Sequence, residues 1–370
     1  MAQPTHFKTL SGELISLPVF FPDATRAVLK SLDTVDLKAT KTLGILINTF
    51  HLFTTPGKDT LKLHKGVRGF MNWQGGAISD SGGFQVGSLA KADGFKSAVT
   101  DEGVRFPDPT GKSKKKVLFT PQMSIEMQVA IGADMMVVLD DFTPPEATYD
   151  EAKITVDRTI KWARECKEIF TKLFDQKKTP LEKRPYLLGV VQGGYFQDLR
   201  EYCTKELVKI GFDGLGYGGW PVNLKDNTFD YESAKTIRKH TPDNYMLYGL
   251  GIGKPHEVKN LVKMGWHIFD CVLPTRDARH GRLYVFKDKD MDSISLEGDK
   301  FYEYYTPNKE KYYRDTKPVS TACDCQLCTN YTRSYFYHLW KIGDFTAGRL
   351  ATIHNLRFYS LLMEKLQNQI

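Results

Sequence analysis

Eight short apolar runs, each closing on polar residues or glycine, with helical stretches between them, predict an α/β fold of the (β/α)8 (TIM) barrel type. The runs are Leu17–Phe21, Leu43–Asn48, Ala77–Asp80, Met136–Asp140, Leu187–Gln192, Gly214–Gly218, Met246–Gly249 and His267–Cys271. Eight strand–helix units within about 280 residues match the size of such a barrel. The runs lack clean alternation, as expected of strands buried on both faces. A doubly wound sheet is the competing arrangement of the same elements.

The helical stretches have physical signatures of their own. Over Ala152–Phe174, the residues Ala152, Val156, Ile160, Ala163, Phe170 and Leu173 recur at three- and four-residue spacings along one face. Gln122–Gly132 follows Thr120-Pro121, a threonine N-cap with proline at the first helical position. Residues 84–120, containing DPTGKSKKK, predict a hairpin or loop insertion after the third strand; the Lys112–Lys116 run reads as a solvated tip. Residues 285–330 are rich in lysine, tyrosine and turn residues, and helical runs near Arg333–Ile342 and Thr346–Gln367 close the chain. The expected organisation is a barrel over 1–284, a zinc-binding subdomain over 285–345, and a helix over 346–370 packing back on both.

With 41% hydrophobic and 26% charged residues among 370, the composition excludes disordered, collagen-like and low-complexity classes. No apolar run reaches the roughly 18–20 residues needed to span a bilayer. The first residues, MAQPTHFKTLSGE, lack a signal-peptide core, so a soluble cytoplasmic protein is the expectation. Lys plus Arg exceed Asp plus Glu by 51 to 44. That surplus permits a polyanionic partner without requiring one.

Three of the six cysteines, Cys323, Cys325 and Cys328, crowd into six residues. A secreted disulfide framework would spread them through a shorter chain. Such a thiolate hook suits tetrahedral Zn2+, completed by a fourth ligand, with no open position and therefore a structural role. His338 and His354 are the candidates. Spacing favours His354, whereas His338 in YFYHLW reads as a hydrogen-bonded core histidine.

In a (β/α)8 barrel the chemistry sits at the C-terminal strand ends. Those ends carry Asp80, Asp140, Gln192, Gly218-Gly219, Gly251–Gly253 and Asp270. Carboxylates emerging from buried strands are costly unless paired or used, and three at equivalent positions point to a shared site. Ser81-Gly82-Gly83-Phe84 follows Asp80; the glycines permit close backbone approach, and Phe84 can stack on an aromatic ligand. Gly214-x-Gly216-x-x-Gly219 is no dinucleotide site, because Trp220-Pro221 stands where a helix should open. Gly253-Lys254 is no phosphate loop, with Tyr248 at the first-glycine position. Beyond Asp270, Arg276, Arg279 and Arg282 line a loop suited to phosphates.

SDSGGFQV at 79–86, VVQGG at 190–194, FDCVLPTR at 269–276, INTFHL at 47–52, GIGKP at 251–255 and the cysteine hook with HNLRFY at 354–359 together resemble the tRNA-guanine transglycosylases, in family order. The resemblance implies a (β/α)8 barrel with insertions and a C-terminal zinc-binding subdomain. It implies exchange of guanine at the wobble position (34) of tRNAs with a GUN anticodon for a 7-deazaguanine base, in queuosine modification, with one structural Zn2+ per chain and no organic cofactor. A homodimer is expected. By resemblance Asp270 is the nucleophile and Asp80 the general acid/base. Phe84, Asp140, Gln192, Gly219 and Ser81 bind the base, Arg276, Arg279 and Lys254 the tRNA, and Cys323, Cys325, Cys328 and His354 the zinc.

Two stretches depart from the family pattern. After Gly218-Gly219 a leucine, a small residue and a Gly-Glu pair are usual, whereas this chain has Trp220-Pro221-Val222-Asn223-Leu224. After Asp140, Glu-Cys-Thr-Pro is replaced by Asp141-Phe142-Thr-Pro. Both alter the wall near the 7-substituent, and the added bulk favours preQ1 over queuine. A DNA-directed transglycosylase and a non-catalytic tRNA-binding partner subunit are the alternatives; retention of Asp80 and Asp270 argues against the second.

Overall fold

The computed structural model describes residues 2–83, 98–108, 116–224 and 226–369. A short antiparallel hairpin, β1 (His6–Lys8) and β2 (Leu14–Ser16), precedes the barrel. The barrel strands are β3 (Val19–Pro22), β4 (Gly44–Ile47), β5 (Gly76–Ser79), β9 (Met135–Val137), β10 (Tyr186–Val191), β11 (Gly214–Tyr217), β12 (Met246–Gly249) and β13 (Ile268–Cys271). All pair in parallel, in the order β3-β13-β12-β11-β10-β9-β5-β4. A parallel bridge between Asp23 and Leu46, with the Ala24 amide on the Leu46 carbonyl at 2.8 Å, joins the two outer strands. The eight strands coincide with the eight apolar runs to within three residues at either end. A doubly wound sheet would leave those outer strands apart.

Shape decides the barrel floor. Phe21 is fully buried, and a Cβ at Gly44 would lie 2.2 Å from its ring. Only glycine therefore lets this ring fill the interior between β3 and β4. Phe7 of the hairpin meets Phe21 edge-on, with centroids 6.2 Å apart. Asp134, opening β9, is buried and satisfied by the Leu10 and Ala77 amides, both at 2.7 Å, and by Arg68. A carboxylate so completely paired at the N-terminal end of its strand is a structural fixture.

The Tyr149–Gln176 helix turns Ala152, Val156, Ile160, Ala163 and Phe170 inward, and Thr148 with Glu151 forms a capping box at its start. Thr120 caps Pro121–Ile131 by accepting from the Met123 amide. Between β5 and that helix stands an antiparallel sheet of β6 (Ala98–Thr100), β7 (Gly103–Pro107) and β8 (Lys116–Phe119), the hairpin rather than the loop of the two expected forms. After β13 come a hairpin of β14 (Leu283–Phe286) and β15 (Tyr302–Tyr305), the cysteine hook, and the closing helix Phe345–Gln367. Among the described residues no helix is long and apolar enough to cross a membrane.

Candidate active site and metal centre

Three aspartates converge at the C-terminal mouth of the barrel. Asp270, in the last strand, is buried; its Oδ1 accepts from the Tyr248 hydroxyl at 2.6 Å and the Gly251 amide at 2.9 Å. Its Oδ2 has no donor among the described residues. Burial pushes this carboxyl up to about 7, with the Asp23 charge adding to it and the two hydrogen bonds opposing.

Asp80 follows β5. Its Oδ2 accepts from Asn48 Nδ2 at 2.6 Å, and its Oδ1 from the amides of Thr49 at 2.9 Å and Gly82 at 3.1 Å. Asn48 also caps the Thr49–Thr54 helix through the His51 amide, so one side chain both ends β4 and positions the carboxylate. Burial, reinforced by the charges of Asp23 and Asp270, pushes Asp80 up to about 8 despite these donors.

Asp140 completes the trio. Ser81 Oγ donates to its Oδ1 at 3.2 Å and Gln192 Nε2 to its Oδ2 at 2.7 Å, while burial lifts it to about 6. The Gln192 Oε1 accepts the Thr143 amide at 3.1 Å, which fixes the flip of this amide. Gly218 packs directly over Gln192: a Cβ there would fall 2.6 Å from Nε2. Gly219 follows at φ +85°, a conformation suited to glycine. Asp141 turns outward to Arg158, as alternation requires.

Supporting residues without a sequence signal hold this mouth together. Gln128 bonds Ser79 Oγ and both backbone groups of Val137, tying β5 to β9. Arg200, fully buried, donates to the carbonyls of Val191, Gly194 and Gly218 and stacks on Tyr217. Each looks like an ordinary residue of an amphipathic helix until the sheet is assembled. Phe84 lies outside the described residues.

On the rim, the Leu273–Arg279 helix presents Arg276, half exposed, and Arg279, part-buried. Lys254 gives its ammonium to Glu257 at 3.0 Å. Trp220 remains 45% exposed, so its indole is not packed into the protein interior.

The hook closes on itself. The Sγ atoms of Cys323, Cys325 and Cys328 and a ring nitrogen of His354 are buried within 4.8 Å of one another. A tetrahedral Zn2+ with Zn–S bonds of about 2.3 Å sets its thiolates roughly 3.8 Å apart, so this donor set fits that ion. His354 Nδ1 lies 3.4 and 3.3 Å from Cys325 and Cys328, and Nε2 meets the Tyr284 carbonyl at 2.8 Å. The carbonyl requires a proton on Nε2, which leaves Nδ1 as the ligand. His338 is exposed, not the core histidine expected of its apolar stretch, and stands outside the group.

The closing helix joins this group to the mouth. Arg357 pairs with Asp324 of the hook at 2.5 Å and with Glu364 at 2.7 Å. Asn355 Nδ2 donates to the Pro274 carbonyl at 2.9 Å, and the Tyr359 hydroxyl to that of Gly253 at 2.5 Å. HNLRFY thus fastens the loop after β12 and the helix after β13, on either side of Asp270.

Fold and site together define a (β/α)8-barrel enzyme with a carboxylate centre and a separate Cys3His group able to hold a metal ion. The chain matches the family described as queuine tRNA-ribosyltransferase over residues 3–370. It is 36% identical over 369 residues to the queuine tRNA-ribosyltransferase of Actinobacillus pleuropneumoniae serotype 5b (strain L20), covering 98% of this chain and 88% of that protein. The enzymes of that name from Aliivibrio fischeri (strain MJ11) and Vibrio cholerae serotype O1 (strain ATCC 39541) are each 36% identical over 360 residues, covering 96% of this chain and 87% and 86% of theirs. The chain belongs to the queuine tRNA-ribosyltransferase family and is a pentosyltransferase.

Proposed function

We propose that this enzyme exchanges guanine at position 34 of GUN-anticodon tRNAs for a 7-deazaguanine base through a covalent aspartyl-ribosyl intermediate. The observation that carries the reading is the asymmetry of Asp270: one oxygen is held by two donors and the other has none, beside a second carboxyl held near neutrality. Asp270 Oδ2 attacks C1′ as the C1′–N9 bond breaks, the electron pair leaving with N9. Asp80 supplies the proton to the departing guanine and later takes N9–H from the incoming base, which displaces Asp270 in turn. Developing oxocarbenium charge is balanced by the ionised Asp270.

Asp140 accepts from N1–H and the exocyclic amine of the flipped base. Gln192 and the Gly219 amide address O6, with Ser81 alongside and Phe84 as the stacking face. Zn2+ held by Cys323, Cys325, Cys328 and His354 would supply structural cross-linking. Labelled guanine incorporated into an anticodon stem-loop tests the whole reading; no incorporation by pure protein would defeat it.

The pH profile follows from the two aspartates. Attack needs Asp270 ionised and departure needs Asp80 protonated, so kcat/KM should rise through about pH 7 and fall through about pH 8. A profile flat from pH 5 to 9 would contradict these roles.

Base choice is proposed as preQ1 over queuine. The Pro221 carbonyl accepts the Asp230 amide at 2.9 Å and the Val222 carbonyl the Tyr195 hydroxyl at 2.6 Å, so the backbone beside Trp220 is pinned. A pinned loop with Trp220 and Phe142 leaves less room beyond C7. Competition kinetics in which queuine outruns preQ1 would refute the preference, and Trp220→Leu should relax it.

Arg276→Ala and Arg279→Ala should each weaken stem-loop binding and lower the slope of log K against log salt by about 0.7 per lost phosphate contact. An unchanged slope would take them off the RNA.

A further inference from the structure

Asp23 stands at the mouth of the barrel and has no part in the reaction above. Its strand, β3, lies between β13, which carries Asp270, and β4, which runs into Asn48 beside Asp80. Asp270 pairs with Phe21, and Asp23 with Leu46. Extending the pairing of Ile47 with Ser79 places Asn48 opposite Asp80. Paired residues of a parallel sheet, and residues two apart on one strand, turn to the same face. Asp23 therefore turns the same way as Asp270, Asn48 and Asp80.

The carboxylate is held but not consumed. Thr25 holds it through its hydroxyl, which donates to Oδ1 at 2.5 Å, and through its backbone amide, and the residue stays part-exposed. It is near enough for its charge to raise both Asp80 and Asp270. A third acid beside two others is unfavourable in the free protein unless a ligand uses it.

Stereochemistry says which ligand group is in reach. In a β-ribonucleoside the base and the 2′-hydroxyl project from opposite faces of the ring. An in-line nucleophile enters opposite the departing base, on the face that carries the 2′-hydroxyl of the carbon next to C1′. The strand adjacent to the nucleophile is where a partner for that hydroxyl belongs. We propose that Asp23 is a substrate-binding residue whose carboxylate accepts the 2′-hydroxyl of the ribose that Asp270 attacks, an inference that rests on the guanine-exchange reading. A hydrogen bond there strengthens as charge develops at C1′ and selects RNA over DNA.

The test compares stem-loops carrying guanosine or 2′-deoxyguanosine at the target, with wild type, Asp23→Ala and the isosteric Asp23→Asn, each checked by thermal melting. Wild type should favour the ribonucleotide in kcat/KM by roughly ten- to a hundredfold, the range for a hydrogen bond to a charged group. Asp23→Ala should lose that factor on the ribonucleotide alone, so the two substrates converge; Asp23→Asn should fall between. If Asp23→Ala exchanges guanine but keeps the wild-type preference, Asp23 does not bind the 2′-hydroxyl and the exchange reading survives. If wild type exchanges guanine in neither stem-loop, both fall.

Discussion

Asp270→Asn forms no denaturation-resistant complex with the anticodon stem-loop and exchanges guanine at least about ten-thousandfold more slowly than wild type. An amide neither attacks C1′ nor balances positive charge there, although it can still accept from Tyr248 and Gly251. Stability should move the other way. The folded state holds the Asp270 proton up to about pH 7, against an ordinary value of 3.8. The carboxyl's contribution to stability is thus full below about pH 4 and lost as pH rises through 7. The amide escapes that loss, so Asp270→Asn should melt above wild type at pH 8, the gap shrinking on acidification. A normal covalent band in this variant would remove Asp270 from the nucleophile's role.

Cys325→Ser, His354→Ala or prolonged chelation should release one zinc per chain and lower the melting midpoint by on the order of 10 °C, since structural zinc sites contribute folding energy directly. Activity should fall with the metal even though the proposed reaction does not use it. His354, Asn355, Arg357 and Tyr359 lie on one helix, and Asn355 and Tyr359 hold the carbonyls of Pro274 and Gly253 on either side of Asp270. Elemental analysis decides: full zinc in His354→Ala, or none in active wild type, would refute the assignment.

Strand ends were legible because burial on both faces makes each barrel strand an apolar run that a lone Asp or Gln conspicuously terminates, as at Asp80, Asp140, Gln192 and Asp270. The metal group was legible because three of its ligands are local, within six residues of chain. Gln128, Arg200 and Tyr248 carried no comparable signal. Much of their work is done across strand boundaries, on partners 9 to 49 residues away, and each residue type is common on half-buried elements.

By itself the sequence determined which elements form, their order, which carboxylates leave buried strands and which thiols share a hook, because periodicity and local spacing are written along the chain. Only the tertiary structure decided that the sheet closes, through Asp23 and Leu46, while it bore out His354 over His338 as the group that meets the thiols. It alone brought Asp23 in beside Asp80 and Asp270. Those outcomes depend on register and on packing between segments distant in sequence, with Phe21 filling the space that Gly44 leaves, and such contacts exist only once the barrel has formed.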